Sequence, residues 1–325
     1  PPLYKWRIIA INSEAGATTS VNYLATECTP TNKPAAPDAN TMRCMPVHWT
    51  PPGLTQPSLH YFHKYPVESV VEDDLTGSSS DLVTTYSYVG SPAWHYDDSE
   101  LTQDKYRSWN DWRGYGTVMV NEALATETRS QSQFLYLRGM DGDKLAAGGT
   151  KDVWVTDSQG GTIEDLPRYQ GVVREEIVLN GPAGSEVGGK IYTPWLSTVR
   201  ADDGDDKAYL LGTAAVDERT ALAAGGYRRT KVVNSFDADG FAIANDDQGD
   251  ISINTDNQCT RTEYARNPGL NILATVKRTE VVSVSCATTP NRPADSSMDP
   301  PTSSADTSRR RTSRTRACPR RPSRG

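Results

Sequence analysis

The stretch Asn234–Ile253, NSFDADGFAIANDDQGDISI, decides how this chain reads. It sets five Asp among twenty residues, and carboxylates beside Gly suit either a calcium loop or the turns of β-hairpins. The spacing disfavours calcium. An EF-hand loop opening at Asp237 needs an oxygen ligand at its fifth position and Glu at its twelfth, where Phe241 and Gln248 stand. Turn chemistry uses the same residues fully. Gly240 and Gly249 tolerate a positive φ at no Cβ cost. Asp237 and Asp239 before Gly240, and Asp246 and Asp247 before Gly249, carry side-chain oxygens that cap turn backbone. Two hairpin turns are therefore expected here.

The same punctuation recurs outward from this stretch. RIIAIN, TSVNYL, LVTTYSYV, GTVMVNE, QFLYLRG, KDVWVTD, REEIVLNG, GKIYTPW, TKVVNSF and VKRTEVVSVSC are short runs rich in Val, Ile, Tyr and Thr. Gly16, Gly77 and the pair Gly160–Gly161 fall between strand-like runs as Gly240 does. The intervals vary, so this is a degenerate hairpin repeat rather than a strict array. The one helical signal, ERTALAAGGYRR from Glu218, meets Gly225 and Gly226 within about two turns. The fold class expected is all-β, built of many short antiparallel hairpins.

Composition narrows the function. The 325 residues suffice for a sizeable core, and no apolar run reaches the roughly 18 residues of a membrane-spanning helix. Residues 296–325 hold eight Arg and two Asp, while the whole chain is −7, so the body is strongly acidic and not a nucleic-acid binder. Four of the five Cys lie in the body as two local couples, Cys28 with Cys44 and Cys259 with Cys286; no C-x-x-C occurs. Two disulfides in a secreted or cell-surface protein suit that spacing, with buried free thiols as the alternative.

SFDADGFAIANDDQGD resembles the Tyr-Asp repeat of the Rhs family, whose core is roughly Tyr-Asp-x-x-Gly. Phe236 stands in the Tyr place; Asp237 and Gly240 match. WHYDDSELTQDKYRSWNDWRGYGTV, YLRGMDGDKL, VTDSQGG and CTRTEYARN are similar to the region before the repeats in large secreted Rhs proteins of high-GC Gram-positive bacteria, and the likeness covers most of residues 1–295. The resemblance implies a YD-repeat β-shell around a C-terminal effector or toxin, a structural role with no catalytic residue, metal or cofactor. The partners implied are the remainder of the shell and the effector. The family's Asp-Pro-x-Gly cleavage motif has no match, since Asp299-Pro300 continues PTSS.

Competing chemistry is thin. His48, His60, His63 and His95 are the only His, and His60 and His63 form H-x-x-H, but a zinc site needs three or four converging ligands. Asp202–Asp206 reads as an exposed loop. No G-x-S-x-G, H-E-x-x-H, Walker or dinucleotide-binding motif is present. Trp109, Trp112 and Tyr115 read as a packed corner of the sheet or as a stacking platform for cell-surface glycans, the reading of a secreted carbohydrate-binding β-module. A secreted hydrolase with a carboxylate pair is the remaining alternative.

The expected organisation is a β-rich region over 1–295, with the Tyr-Asp-like hairpin near 232–253, and a disordered Arg/Ser/Pro-rich tail over 296–325. The abrupt change after Asp295 is what a GC-rich gene yields when read out of frame, and the initial Pro suits a fragment.

Overall fold

A computed structural model of the chain describes residues 6–77, 79–124, 130–204, 206–253, 255–292 and Asp295. The tail 296–325 lies outside them. The fold is all-β, and the only helical elements among the described residues are three single 3₁₀ turns. Among these residues no helix is long and apolar enough to cross a membrane.

The chain opens with β1 (Ala10–Asn12) and β2 (Ala17–Tyr23), followed by an inserted hairpin of β3 (Cys44–Trp49) and β4 (Ser58–His63). Next come β5 (Val67–Asp74), β6 (Leu82–Val89) and a second inserted hairpin, β7 (Ala93–Tyr96) and β8 (Trp109–Gly114). Strands β9 (Thr117–Leu124) and β10 (Ser130–Tyr136) lead to a third, β11 (Trp154–Thr156) and β12 (Thr162–Glu164). Strands β13 (Val173–Leu179) and β14 (Glu186–Leu196) lead to a short fourth, β15 (Ala201–Asp202) and β16 (Lys207–Ala208). The chain then runs through β17 (Leu211–Ala221), β18 (Tyr227–Phe236), β19 (Ala242–Asp250), β20 (Gln258–Asn267) and β21 (Ile272–Val282) with no further insertion.

Without the inserted hairpins, the remaining thirteen strands form one antiparallel sheet in chain order, from β1 to β21. In such a sheet successive connections alternate between its two ends. All four insertions replace alternate connections and so emerge at one rim, together with the turns β18–β19 and β20–β21. The opposite rim carries only turns.

Side-chain alternation gives the sheet two different faces. Asn22, Ser69, Thr85, Asn121 and Gln131 lie in register on β2, β5, β6, β9 and β10. They form a polar row: Asn22 Nδ2 donates to Ser69 Oγ (3.0 Å), Asn121 Nδ2 to Thr85 Oγ1 (3.4 Å) and Gln131 Nε2 to Asn121 Oδ1 (2.8 Å). The other face carries Tyr88, Val118 and Phe134, also in register.

The densest core lies at the decorated rim, where the insertions pack on one another. Trp94 is buried on β7 and donates its indole N–H to Met42 O (2.8 Å) in the first insertion. Ser108 Oγ donates to Pro46 O (2.7 Å), Trp109 Nε1 to Lys144 O (2.8 Å), and Tyr96 N to Asp143 Oδ1 (2.9 Å). These bonds join the first three insertions. Disulfides link Cys28 to Cys44 in the first insertion and Cys259 on β20 to Cys286 beyond β21.

Two expectations are corrected. The segment from Glu218 is the end of β17, not a helix: Arg219 pairs with Gly189 on one side and Arg229 on the other, and pairing on both sides overrides local helix propensity. Gly249 is not at a hairpin tip. It lies within β19 at φ +51°, where the register against β18 slips between Thr230 and Val232, so it forms a β-bulge that the left-handed glycine permits.

Candidate functional site

The hairpin β18–β19 turns through Asp237–Phe241. Asp237 N donates to Phe241 O (3.0 Å) and Gly240 N to Asp237 O (3.1 Å), with Gly240 at φ +82°. The Asp237 Oδ1 atom accepts from Asp239 N (2.9 Å) and Phe241 N (3.0 Å). Asp157–Gly161 repeats all four bonds: Asp157 N to Gly161 O (2.9 Å), Gly160 N to Asp157 O (3.1 Å), and Gln159 N and Gly161 N to Asp157 Oδ1 (2.9 Å each). The backbone pair recurs at Ser13–Ala17, where Ser13 Oγ also accepts from Ala15 N (3.2 Å), and alone at Leu145–Gly149 and Leu222–Gly226. This is the three-residue hairpin loop with a glycine bulge, and an Asp in first place satisfies two further N–H groups.

Neither carboxylate of this turn faces open space. Arg266 pairs with Asp237 and with Asp239 (2.5 Å), and Arg200 reaches Asp239 Oδ1 (3.1 Å). Desolvation pushes the Asp237 carboxyl up, but the Phe241 N–H, the Arg266 guanidinium and the Asp239 N–H together hold it below the usual carboxylate range. Asp246 is used differently from its expected role. It accepts from Cys286 N (2.7 Å) and Ser285 Oγ (3.1 Å), so it anchors the disulfide-closed segment after β21 and caps no turn at Gly249. Asp247 Oδ1 accepts from Gly249 N (3.0 Å) within the bulge. Phe236 stacks on Trp195 with ring centroids 4.4 Å apart, reaching it over Gly212, where a Cβ would lie 3.1 Å from the Phe236 ring.

A second side chain crosses an intervening strand over glycine. Arg219 on β17 passes over Gly189 of β14 and pairs with Glu175 of β13 (2.9 Å) and with Glu186. Glu175 also accepts from Ser158 N (2.8 Å) and Ser158 Oγ (2.5 Å), and Arg174 pairs with Asp157 (2.6 Å). This buried network clamps the third insertion onto the sheet. Sequence reading missed it, although the Gly188–Gly189 pair inside a strand signals close approach of a neighbour.

A cleft of about 480 Å³ lies where the aromatic face meets the decorated rim. Its walls include Lys64, Tyr65, Tyr88, Trp112, Tyr115 and Tyr136. The rings of Tyr88 and Tyr115 are 4.8 Å apart, and those of Trp112 and Tyr115 6.0 Å. Lys64 Nζ lies 6.0 Å over the Trp112 ring. Tyr88 donates to Val67 O (2.7 Å); burial, with Tyr86 and Tyr115 beside it, pushes its pKa up to about 12. Trp109 does not join this cleft. It is buried against Tyr96, 5.0 Å between rings, so the three aromatics singled out by sequence divide between core and cleft. Lys64, Tyr88 and Tyr136 escaped sequence reading as site residues because they are distant in the chain.

The His residues do not converge. His63 Nε2 accepts from Cys28 N (3.2 Å), His48 Nδ1 meets Tyr106 O (3.1 Å) and His95 Nδ1 meets Tyr96 O (2.7 Å). Among the described residues no group of three or more His, Cys, Asp or Glu is arranged to hold a metal ion.

No protein-family model and no curated protein matches the chain. It is similar to several solved structures, three of which follow. A crystal structure of TcdB2-TccC3 aligns at TM-score 0.47 and 10% identity, over 86% of this chain and 16% of that one. TcdB2-TccC3-Cdc42 aligns at 0.48 and 12%, over 85% and 15%. TcdB2-TccC3 without its hypervariable C-terminal region aligns at 0.48 and 11%, over 86% and 15%. The chain thus spans about a sixth of the length of each.

Proposed function

We propose that the chain is a non-catalytic wall segment of a larger secreted β-shell of the Rhs, Tyr-Asp-repeat kind, which encloses a C-terminal effector. One observation carries this reading. The thirteen-stranded sheet ends in β1 and β21, each hydrogen-bonded to a single neighbour among the described residues. The edge strand β21 is eleven residues long and largely exposed, with Ile272 and Val276 on its surface. A long free edge of this kind invites pairing, and isolated proteins blunt such edges. A continuing wall is the arrangement in which both edges are used. The partners in this reading are the rest of the shell and the effector, with no nucleic acid.

Sequencing the gene through the Asp295 codon in all three frames, and imaging its full product by electron microscopy, tests the proposal. The expected result is further Tyr-Asp hairpins after β21, paired to it in a closed wall. A full product that ends near β21, monomeric and with that edge open, would overturn it. The carbohydrate-binding alternative loses the Trp109 face, which is buried, and keeps only the cleft.

A further inference from the structure

We propose that the aromatic cleft at the decorated rim binds an acidic sugar, a pyranose ring carrying a carboxylate. The inference stands apart from the shell reading, because a wall segment and a free module could both carry the cleft. Three features of the lining define the ligand.

The first is charge. The chain is net −7, yet the cleft is lined by Lys64 and Arg113 and by no Asp or Glu. Arg113 has a side chain only 7% exposed. Its Nε donates to Asp111 (2.7 Å) and its Nη1 to the carbonyls of Arg138 (3.4 Å) and Gly139 (3.3 Å), leaving Nη2 without an acceptor among the described residues. Two cationic residues in the lining of one cleft suit a carboxylate.

The second is shape and surface. The lining includes Tyr65, Tyr88, Trp112 and Tyr136, aromatic surface of the kind that packs on the C–H face of a pyranose, and the volume lies within the range of about 300–1,000 Å³ for small-molecule sites. The third is the hydroxyls. Those of Tyr65, Tyr115 and Tyr136 make no hydrogen bond among the described residues. Phenols that both donate and accept match a ring of alcohol groups. A fatty carboxylate would leave them unpaired, and an inorganic anion would leave the rings unused.

The test is calorimetric titration of the full chain with tetragalacturonate, its methyl ester and decanoate. The acid is expected to bind at least about tenfold more tightly than the ester, the worth of one charge-assisted hydrogen bond. Lys64→Gln should reduce that preference. Tyr136→Phe, which leaves the ring in place, should weaken acid and ester alike. Circular dichroism checks that both variants fold. No binding of the acid, equal binding of acid and ester, a Lys64→Gln variant with undiminished preference, or tighter binding of decanoate would each overturn the proposal.

Discussion

The regions from β2 to β13 and from β17 to β21 both contribute strands to the large sheet but are held by different means. In the first region the insertions fold back on one another and bury Trp94, Trp109, Leu137 and Met140, so the sheet acquires a core at its rim. In the second the connections are tight, and the fully buried side chains are Arg219, Cys259 and Val282. There a disulfide, a buried ion network and capped turns do what apolar packing does elsewhere. A single-layer sheet has little interior of its own, so each stretch needs a local anchor.

The comparison can be broken most sharply in the first region. Trp94→Ala removes a buried indole and its bond to Met42 and is expected to cost about 3–5 kcal/mol, read from the shift in urea midpoint. If the cost were below about 1 kcal/mol, the rim core would not be what holds this half. In the second region, replacing Cys259 and Cys286 together by Ser should cost about 2–4 kcal/mol. Hydrogen exchange should speed up in β20 and β21 and stay unchanged in β7 and β8; uniform loss of protection would mean that the two regions unfold as one unit.

Smaller effects should come from the turns. Asp237→Ala strands two backbone N–H groups and removes one of the two carboxylates paired with Arg266, for about 1–2 kcal/mol at pH 7. The folded Asp237 carboxyl is held below its unfolded value of about 3.9, so its contribution is present above that pH and lost as pH falls through the folded value. The gap between wild type and Asp237→Ala should therefore narrow below about pH 4; a constant gap down to pH 2 would show that the pairing with Arg266 contributes nothing. Arg266→Ala should have the smallest effect, about 0.2–1 kcal/mol, because its partners are part-exposed and Arg200 still faces Asp239.

Much of the sheet was legible in the sequence. All ten runs singled out for Val, Ile, Tyr and Thr coincide with or overlap strands. The Asp-x-x-Gly turn was legible because every bond in it lies within five residues. Gly249 misled because a left-handed glycine serves a bulge as well as a hairpin tip, and only the partner strand distinguishes them. Most of the other strands of the insertions were missed, since a run as brief as Ala201–Asp202 carries no period of its own. The cleft was half legible. Trp112 and Tyr115 were noted as neighbours in sequence, whereas Lys64 and Tyr136 come from other insertions and strands.

By itself the sequence determined the all-β class, the places where the chain reverses, and the pairing of Phe236 with a turn at Asp237–Gly240, because strand propensity and turn geometry act over a few residues. Tertiary structure alone decided that alternate connections carry the insertions at one rim, and that Gly189 and Gly212 let Arg219 and Phe236 cross a strand. It also gathered cations and tyrosines from four segments into one cleft. Those outcomes depend on register and on which strands become neighbours, and contacts between residues far apart in the chain leave no local pattern to read.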